Sequence, residues 1–513
     1  MTRTVTAKLI RELGAGVGVA LPEVRVIGED PVLPSVFLIG TMAAASAGAL
    51  AAAVAVYACR TGESDQEGPG AREPARDAHG DPDVTIDVRH AAVAFQSERH
   101  FRTTGKAMDT WAALSGDYRA SDGWVRLHCN FDHHRDAALR ALGLPPGSGK
   151  EDVARACAAR AAVEIEDAVI REDGCAAAMR SRAEWLAHPQ AQALAELPLA
   201  GVSRLPGRGG QADGDSGWDG QAGRAGGGPG RARTRLVLGD LGSRRLAGMT
   251  RPLGGVRVLD LTRVIAGPVA ARALAAYGAD VLRVGAAHLP EVPGLVVETA
   301  FGKRSCHIDL RSEADRLREL VCQADVVIQA YRPGALRARG FGPDDLAALR
   351  PGIVCVDISA YGSRGPWASR RGFDSLVQMA AGIAHENGDG LRPSPLPAQA
   401  LDHGTGYLAA FGAVAALLRR EAEGGSWHVE VSLARTAAWL DDLGRIDEAR
   451  IDDALIDGAG VRQPRVDDLL ATMDSPFGTL TYVTPPGAID GTRPHWTSPP
   501  PRQGGHPAAW APS

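Results

Sequence analysis

The sequence predicts an α/β protein in which a parallel sheet carries helices on both faces. The first observation is that short apolar runs alternate with helical stretches through the C-terminal half, as in repeated strand–helix–strand units. The second is composition: hydrophobic residues make up 45% and charged residues 23% of the 513 residues, which indicates a globular chain rather than wholesale disorder. The length favours more than one domain.

The elements of this alternation follow in order along the C-terminal half. Apolar runs of β type predict strands at 256–261, 280–284, 306–310, 325–329 and 353–359. Helices are expected between them at 268–277, at 312–322 and at 343–349, the first with Pro268 in its first turn. The turn after the first strand reads LTRVIAGP and lacks the G-x-G-x-x-G fingerprint, which argues against an NAD(P)-dependent dehydrogenase.

Glycine dominates residues 206–235, with arginine and aspartate interspersed and almost no apolar side chain. A segment of this composition does not bury enough surface to order itself, so we expect a linker. The predicted regions are an N-terminal part at 1–205, a Gly/Arg-rich linker at 206–250, a sheet domain at 251–445 and a tail at 446–513. A polar loop is expected at 61–83, and the chain from Pro485 onward is expected to be irregular.

The charge and the cysteine content limit which partners, cross-links and metals we expect. Lys and Arg number 56 against 61 Asp and Glu, a net charge of −5, so no basic face for nucleic acid is indicated. The seven cysteines are odd in number and scattered, with no C-x-x-C pair, which disfavours a disulfide framework and a structural zinc site. A reducing cytoplasm is the expected compartment.

Residues 31–59 carry no charge and are long enough to raise the question of a membrane-spanning helix. Ten of them are alanine, and no aromatic belt or cluster of Lys and Arg flanks them. We therefore expect a buried Ala-rich helix in a soluble protein, without a membrane segment.

The neighbouring residues His133 and His134 are the first candidates for metal binding. Adjacent side chains diverge on a helix or a strand, and no cysteine or carboxylate cluster completes a ligand set. We expect both histidines on a surface loop and assign no metal.

A similar sequence pattern, here called the internal echo, occurs in both halves of the chain. Gly40-Thr41 begins the Ala-rich run GTMAAASAGALAAA, and Gly404-Thr405 begins GTGYLAAFGAVAAL 364 positions later. Each run is followed by a polar or charged loop and then by a similar block, VTIDVRHAAVAF in the first case and WHVEVSLARTAAWL in the second. We interpret the echo as a degenerate duplication, in which Asp402 of the second copy corresponds to Leu38 of the first.

Six segments then occur in one fixed order. They are GVRVLDLTRVIAGPVAARALAAYGADVLRV, FGKRSCHIDL, ADVVIQAYRPGALRARGFG, ISAYGSRGPW, GFDSLVQMAAG and ALDHGTGYLAAFGAVAALLRRE. Together they resemble the class III CoA-transferases, the formyl-CoA and carnitine-CoA transferase type, whose fold is shared by the α-methylacyl-CoA racemases. The resemblance covers residues 254–440 almost continuously, and PPPRQGGH near the C-terminus is similar to the tail of that family.

The resemblance also extends upstream of the linker. RASDGWVRLHCN at 119–130 resembles the strand that opens the family's smaller domain, and residues 178–202 resemble the helical segment that closes it. The implied fold is a Rossmann-like CoA-binding sheet plus a smaller α+β domain in a fused, rearranged order. A pseudo-dimer or a homodimer is implied, and we expect the two parts to contact each other extensively, with Asp402 near their junction.

The resemblance implies an acyl-CoA:carboxylate CoA-transferase that uses no cofactor beyond CoA as a substrate. Asp402 matches the family's nucleophile, although by itself an Asp before an apolar helix is more often an N-cap. The residues that match CoA-contacting positions of the family are Arg263, Ala266, Arg283, Lys303, Arg304, Tyr331 and Arg371. Gly285 and Ala338 depart from the family pattern at positions where an acid and an arginine are usual, which puts CoA affinity in doubt.

Two alternatives remain open at this stage. A racemase would use a His in a G-H-D triplet to move an α-proton, and here the triplet is Gly372-Phe373-Asp374, with a side chain that transfers no proton. A non-catalytic CoA-binding protein is the other alternative, which Leu38, Gly285 and Ala338 make plausible.

Overall fold

The computed structural model describes residues 2–64, 82–107, 112–206, 251–447, 449–451, 456–457, 460–461 and 464–511. A seven-stranded sheet lies at its centre. In spatial order the strands are β10 (Lys303–His307), β9 (Asp280–Gly285), β8 (Arg257–Asp260), β11 (Val326–Gln329), β12 (Val354–Ser359), β13 (Trp427–Ser432) and β7 (Gly201–Arg204).

Strands β8 to β13 are parallel, and their order is that of a doubly wound α/β sheet. Most of their residues are buried, which explains why these strands appear in the sequence as continuous apolar runs. The predicted α/β class is therefore confirmed. The third strand begins at Lys303 rather than 306, because its first residues are charged and gave no apolar signal.

Helices cover both faces of this sheet. They are α10 (Ala266–Ala276), α11 (Pro293–Glu298), α12 (Ala314–Val321), α13 (Pro343–Leu349), α14 (Asp374–Ala380), α15 (Ile383–Glu386), α16 (Ala400–Glu423) and α17 (Leu433–Asp442), with a 3-10 turn at Arg337–Arg339. The three helices expected from the sequence are present, within about two residues of the predicted bounds.

The N-terminal part contains a small domain with its own antiparallel sheet and its own core. Its elements are β4 (Gly116–Arg119), β5 (Trp124–Leu127), α5 (Asp132–Ala141), α6 (Lys150–Ala158), α7 (Ala162–Arg171) and β6 (Ala176–Ala178). Two short helices, α8 (Arg182–Ala187) and α9 (Pro189–Ala195), then lead to β7, which pairs antiparallel with β13. The implied smaller α+β domain is confirmed.

The chain before the small domain wraps around the large one. Its elements are α1 (Thr2–Gly16), β1 (Val24–Ile27), α2 (Ile39–Ser64), β2 (Val84–Asp87), α3 (Val88–Ala94), α4 (Ser97–His100) and β3 (Arg102–Thr103). Within α2, residues Ile39–Arg60 are long and apolar enough to cross a membrane, but the window that meets this test is wholly buried inside the protein. The expected buried Ala-rich helix is present.

The polar loop predicted at 61–83 is wrong at its start, because α2 continues to Ser64. The added residues are Thr61, Gly62, Glu63 and Ser64, and their polar and small side chains gave no helical signal in the sequence. The rest of that loop, apart from Pro82 and Asp83, lies outside the described residues, as does the predicted linker except for Pro206.

The C-terminal segment contacts both the N-terminal part and the large domain. It comprises β14 (Ile456–Asp457), β15 (Gly460–Val461), a 3-10 turn at Asp467–Leu469, β16 (Leu470–Ser475), β17 (Gly478–Val483) and β18 (Ala488–Ile489). Strand β17 pairs with β3, and β18 pairs with β2. Beyond Pro485 the described chain is irregular apart from β18, as expected.

The internal echo corresponds to a repeated structural unit. Helix α2, strand β2 and helix α3 follow one another in the first copy, and α16, β13 and α17 do so in the second. In each copy the strand pairs in parallel with an earlier one, β1 with β2 and β12 with β13. Helices α2 and α16 pack against each other, so the two copies share one core. The expectation of extensive contact between the two parts is confirmed, whereas the boundaries drawn at 205 and 251 stay a prediction.

Candidate functional site

Two cavities meet at the start of helix α16. The sheet-edge cavity, of about 450 Å³, lies where the loops after β8, β11 and β12 leave the carboxyl ends of their strands, the usual ligand site of such a sheet. The interdomain cavity, of about 320 Å³, lies between the N-terminal part and helices α14 and α16. The lining residues that both cavities share are Val264, Ile265, Phe373 and Asp402.

Asp402 stands at this junction, and only 7% of its surface is exposed. It is not the residue before the helix, as the sequence indicated, but lies in the first turn of α16, which begins at Ala400. The capping carboxylate comes from Asp374, whose Oδ2 accepts the backbone N–H of Leu401 at 2.8 Å and that of Asp402 at 2.9 Å. This distant cap leaves the Asp402 side chain to face the cavities, close to the positive end of the helix dipole.

Burial raises the pKa of Asp402 well above its usual range, and the nearby carboxylates of Asp374 and Glu98 raise it further. Burial is also the main reason why the pKa of Asp374 is raised, although hydrogen bonds to its carboxylate oppose that effect. A carboxylate with a raised pKa is a stronger base and a stronger nucleophile than an ordinary aspartate when it is ionised.

Glu98 enters the site from the N-terminal part and was not found from the sequence. Its Oε2 lies 3.0 Å from Nε2 of His403, a buried residue of α16 whose ring stacks on Phe95. Burial acts to raise the pKa of Glu98, but the contact with His403 outweighs it and the pKa falls below the usual value. The ionised Glu98 carboxylate therefore adds negative charge beside Asp402.

Four of the predicted CoA-contacting residues line the sheet-edge cavity, namely Arg263, Ala266, Tyr331 and Arg371. The Arg263 guanidinium lies 5.8 Å from the ring of Tyr331 and 5.7 Å from that of Phe131. Arg371 Nη1 lies 3.4 Å from Nε2 of His134, and about a third of its side chain is exposed. Two arginines that the sequence reasoning missed, Arg332 and Arg370, line the same cavity.

Three other predicted contacts, Arg283, Lys303 and Arg304, do not line that cavity. Arg283 is buried, with Nη2 2.5 Å from Oε1 of Glu291. Lys303 is buried with Nζ 2.7 Å from Oδ2 of Asp260, and burial lowers its pKa to about 8 despite that carboxylate.

Arg304 makes the third of these internal pairs. Its guanidinium binds Asp280, with one distance of 2.8 Å, and donates to the backbone oxygen of Ala509 at 2.7 Å. Each of these three cations is matched to a neighbouring carboxylate of the same domain.

The expectation of a surface loop for His133 and His134 is wrong. Both lie in the first turn of α5 and line the sheet-edge cavity, and their ring centroids are 4.1 Å apart. His134 is buried, and burial lowers its pKa to about 3. In the described part of the chain no three metal-ligating side chains form a group that could hold a metal ion.

Phe373 is part of the lining of both cavities. The His128 ring stacks on it with centroids 3.6 Å apart and planes 4° from parallel. Burial lowers the pKa of His128 to about 3, so this imidazole is neutral at physiological pH.

Part of the chain is similar to known proteins. Residues 253–444 match the family model of CoA-transferase family III. Acetyl-coenzyme A transferase nodX of Hypoxylon pulicicidum is 36% identical over 208 residues, which cover 39% of this chain and 35% of that protein. A probable fatty acyl-CoA transferase of Mycobacterium tuberculosis is 36% identical over 207 residues, covering 37% and 52%. The human succinyl-CoA:glutarate CoA-transferase is 33% identical over 202 residues, covering 36% and 45%.

The chain thus spans between about a third and about half of the length of these relatives. A crystal structure of a CAIB/BAIF family protein from Brucella suis is also similar, at 27% identity and a TM-score of 0.35, with 45% of this chain and 65% of that chain covered. The similarity to CoA-transferase family III rests on residues 253–444.

Proposed function

We propose that this protein is an acyl-CoA:carboxylate CoA-transferase in which Asp402 is the covalent nucleophile. The observation that carries the proposal is the position of Asp402, a buried carboxylate at the meeting point of two cavities. One cavity is edged by arginines and the other is closed by the N-terminal part. Two substrates that bind on either side of one nucleophile need this arrangement.

The sheet-edge cavity would hold the CoA moiety. Arg263, Arg332 and Arg371 line it, and their guanidinium groups suit the phosphates of CoA because they donate paired hydrogen bonds. Tyr331 offers an aromatic face beside Arg263. CoA is the substrate here, and the proposal includes no resident cofactor or metal.

The reaction begins when the Asp402 carboxylate attacks the carbonyl carbon of the acyl-CoA thioester. The C–S bond breaks, CoA leaves as a thiolate, and a mixed anhydride joins Asp402 to the acyl group. The thiolate then attacks the aspartyl carbonyl, so the first acid departs as a carboxylate and CoA becomes bonded to Asp402.

The acceptor acid reverses these steps. Its carboxylate attacks the aspartyl-CoA carbonyl and releases the thiolate, which then attacks the acceptor carbonyl of the new anhydride. The products are a new acyl-CoA and a free Asp402 carboxylate. Burial of Asp402 keeps bulk water from the anhydrides, which would otherwise hydrolyse.

The test is to incubate the protein with an acyl-CoA and to map the covalent adduct by mass spectrometry. We expect an adduct on the peptide that contains Asp402 and none in the Asp402→Ala variant, with CoA binding retained in both because the arginines are untouched. Asp389→Ala, a change in the loop after α15, is the matched control and should still form the adduct.

Three outcomes would contradict the proposal. Transfer at a normal rate by Asp402→Ala would exclude Asp402 as the nucleophile. Rapid deuterium uptake at the α-carbon of a 2-methylacyl-CoA in D₂O would favour a racemase instead. CoA binding without adduct or transfer in the unmodified protein would favour a non-catalytic role.

A further inference from the structure

The interdomain cavity carries positive charge at its outer part and a polar lining at its inner end. Arg99, Arg102 and Arg126 line it, together with Ser375 and Asp402. A cavity for a long aliphatic chain would have an apolar lining, because burying unpaired polar groups against hydrocarbon is unfavourable. The lining therefore indicates a small, charged ligand.

Two of these arginines, Arg99 and Arg102, form no ion pair with an acidic side chain of the described residues. Arg126 Nη1 is paired with Oδ1 of Asp117 at 2.7 Å. Arg102 Nη1 instead donates to the backbone oxygens of Arg99 at 2.5 Å and Phe101 at 2.8 Å, which fixes the guanidinium in place. Among the residues that the structure describes, no carboxylate lies within ion-pair distance of Arg99 or Arg102.

The acids that line the same cavity are engaged elsewhere. Glu98 binds His403, and Asp374 caps α16. Asp402 is the carboxylate that remains directed to the cavities. The positive charge of Arg99 and Arg102 is therefore available to a ligand.

Ser375 adds a second observation at the inner end of the cavity. The residue is 4% exposed, and within the described residues its Oγ has no hydrogen-bond partner. Buried hydroxyl groups are normally paired, so this one lacks a partner that a ligand would supply. It follows Asp374 in α14 and lines the same cavity as Asp402.

We infer that the interdomain cavity binds the acid substrate and selects a short dicarboxylic acid. This inference rests on the proposed function. The reacting carboxylate lies beside Asp402, where the Ser375 hydroxyl donates a hydrogen bond to it. The remote carboxylate lies against Arg99 and Arg102, and the methylene groups between them pack on Leu295 and Leu396, which also line the cavity.

The remote carboxylate takes no part in the exchange of bonds. It stays ionised through every step, while the reacting carboxylate forms the anhydride with Asp402 and then the thioester with CoA. Arg99 and Arg102 are positioning residues for the acid and supply selectivity rather than chemistry. A volume of about 320 Å³ leaves room for an acid of few carbons.

The experiment compares two identity exchanges with acids of equal carbon number. One follows the entry of ¹³C-succinate into succinyl-CoA, and the other follows ¹³C-butyrate into butyryl-CoA, in each case with the full chain. We expect a kcat/KM for succinate that is about tenfold higher or more, since butyrate leaves the cationic groups unpaired. In the Arg99→Gln/Arg102→Gln variant this ratio should fall to near one.

Arg171→Gln is the matched control, because Arg171 lies on the exposed end of α7 and lines neither cavity. It should keep the ratio of the unmodified protein. Thermal unfolding of the double variant checks that it is folded, and calorimetric binding of succinate and butyrate to the unmodified protein gives the same preference without turnover.

The outcomes separate the two proposals. Equal exchange of both acids, or faster exchange of butyrate, overturns the dicarboxylate inference and leaves the proposed function standing. An unchanged ratio in the double variant also overturns it. Absence of exchange with either acid and of any covalent adduct contradicts the proposed function, and the inference falls with it.

Discussion

Helices α2 and α16 show how one structural unit has been used in two ways. Each begins beneath a carboxylate from another segment: Asp30 accepts hydrogen bonds from the backbone N–H of Thr41 at 2.5 Å and from its Oγ1 at 2.7 Å, and Asp374 caps α16. Both helices are then buried along most of their length. The cap and the packing are common to both copies, so they belong to the scaffold.

The difference lies in one side chain at each helix start. Asp402 faces two cavities, whereas the matching position of the first copy is Leu38, which supplies no nucleophile. The first copy instead contributes packing, through α2, and the helix that follows it, α4, contributes charge through Glu98. The comparison shows that both copies keep the scaffold, whereas only the second copy has the carboxylate at the helix start.

The largest expected effect compares a substitution at the start of α16 with one at the cap of α2. Asp402→Asn should reduce CoA transfer by roughly 10⁴-fold or more, since an amide does not form the anhydride. Asp30→Asn should leave transfer within about threefold, because that carboxylate serves only to cap and pack. Transfer rates measured with the same acyl-CoA check this. A similar loss in both variants would remove the distinction between the copies.

The second prediction compares the caps themselves. Asp374→Ala should lower the free energy of unfolding by about 1–3 kcal/mol, because two buried N–H groups at the start of α16 lose their acceptor. Asp30→Ala should cost a similar amount in α2. Urea denaturation measures both, and activity should fall only in the first variant, since α16 then holds Asp402 loosely. A fall in activity in both would show that α2 controls the site.

The third prediction concerns two arginines of the large sheet domain that the sequence analysis treated alike. Arg263→Gln should raise the KM for CoA about tenfold, because this guanidinium lines the sheet-edge cavity. Arg304→Gln should change that KM by less than about twofold, since Arg304 is paired with Asp280. Steady-state kinetics with varied acyl-CoA give both values. Equal effects would contradict the assigned positions.

The smallest expected effect tests whether Glu98 raises the pKa of Asp402. The raised pKa of Asp402 places the acidic limb of the kcat/KM profile above the usual range of an aspartate, and activity rises with pH as this carboxyl ionises. Glu98→Gln removes one negative charge and should move that limb to lower pH by up to about one unit. A limb that stays in place would show that Glu98 does not act on Asp402.

The same raised pKa has a consequence for stability with a defined sign. The folded protein holds the Asp402 proton at pH values where the unfolded chain has released it, so this group stabilises the fold below the unfolded pKa of about 4. That contribution is lost as the pH rises through the folded pKa. Asp402→Asn should therefore flatten the decline of unfolding free energy with pH, as denaturant titrations at several pH values would detect.

Sequence reasoning predicted the sheet well and the site in part. Buried parallel strands are apolar along their whole length, so 280–284 and 353–359 were readable, whereas the strand that opens with Lys303 and Arg304 was placed late. Asp402, Arg263 and Tyr331 follow a motif and reach the cavities. Charge alone did not distinguish Arg263 from Lys303, because the difference lies in which carboxylates the fold brings within reach.

The remaining part of the site depends on tertiary assembly. Glu98 and Asp402 are separated by about three hundred positions, and nothing local to either residue indicates that they are neighbours. His134 was assigned to the surface, yet it becomes buried when α5 packs over the sheet-edge cavity. Asp132, an acidic residue in the first turn of α5, is the local signal that would have placed this residue on a helix.

The pairing of strand β7 depends on the order in which the chain is synthesised. It is made before the linker, yet its only described neighbour in the sheet is β13, which is made more than two hundred residues later. Until β13 emerges from the ribosome, the hydrogen-bonding groups of β7 stay unpaired and α2 exposes its apolar surface. Once formed, the antiparallel pair covers the open edge of β13, which would otherwise be a site for association with another sheet. Helix α2 therefore lacks its partner α16 through most of translation, and completion of the large domain is the event that covers its apolar surface.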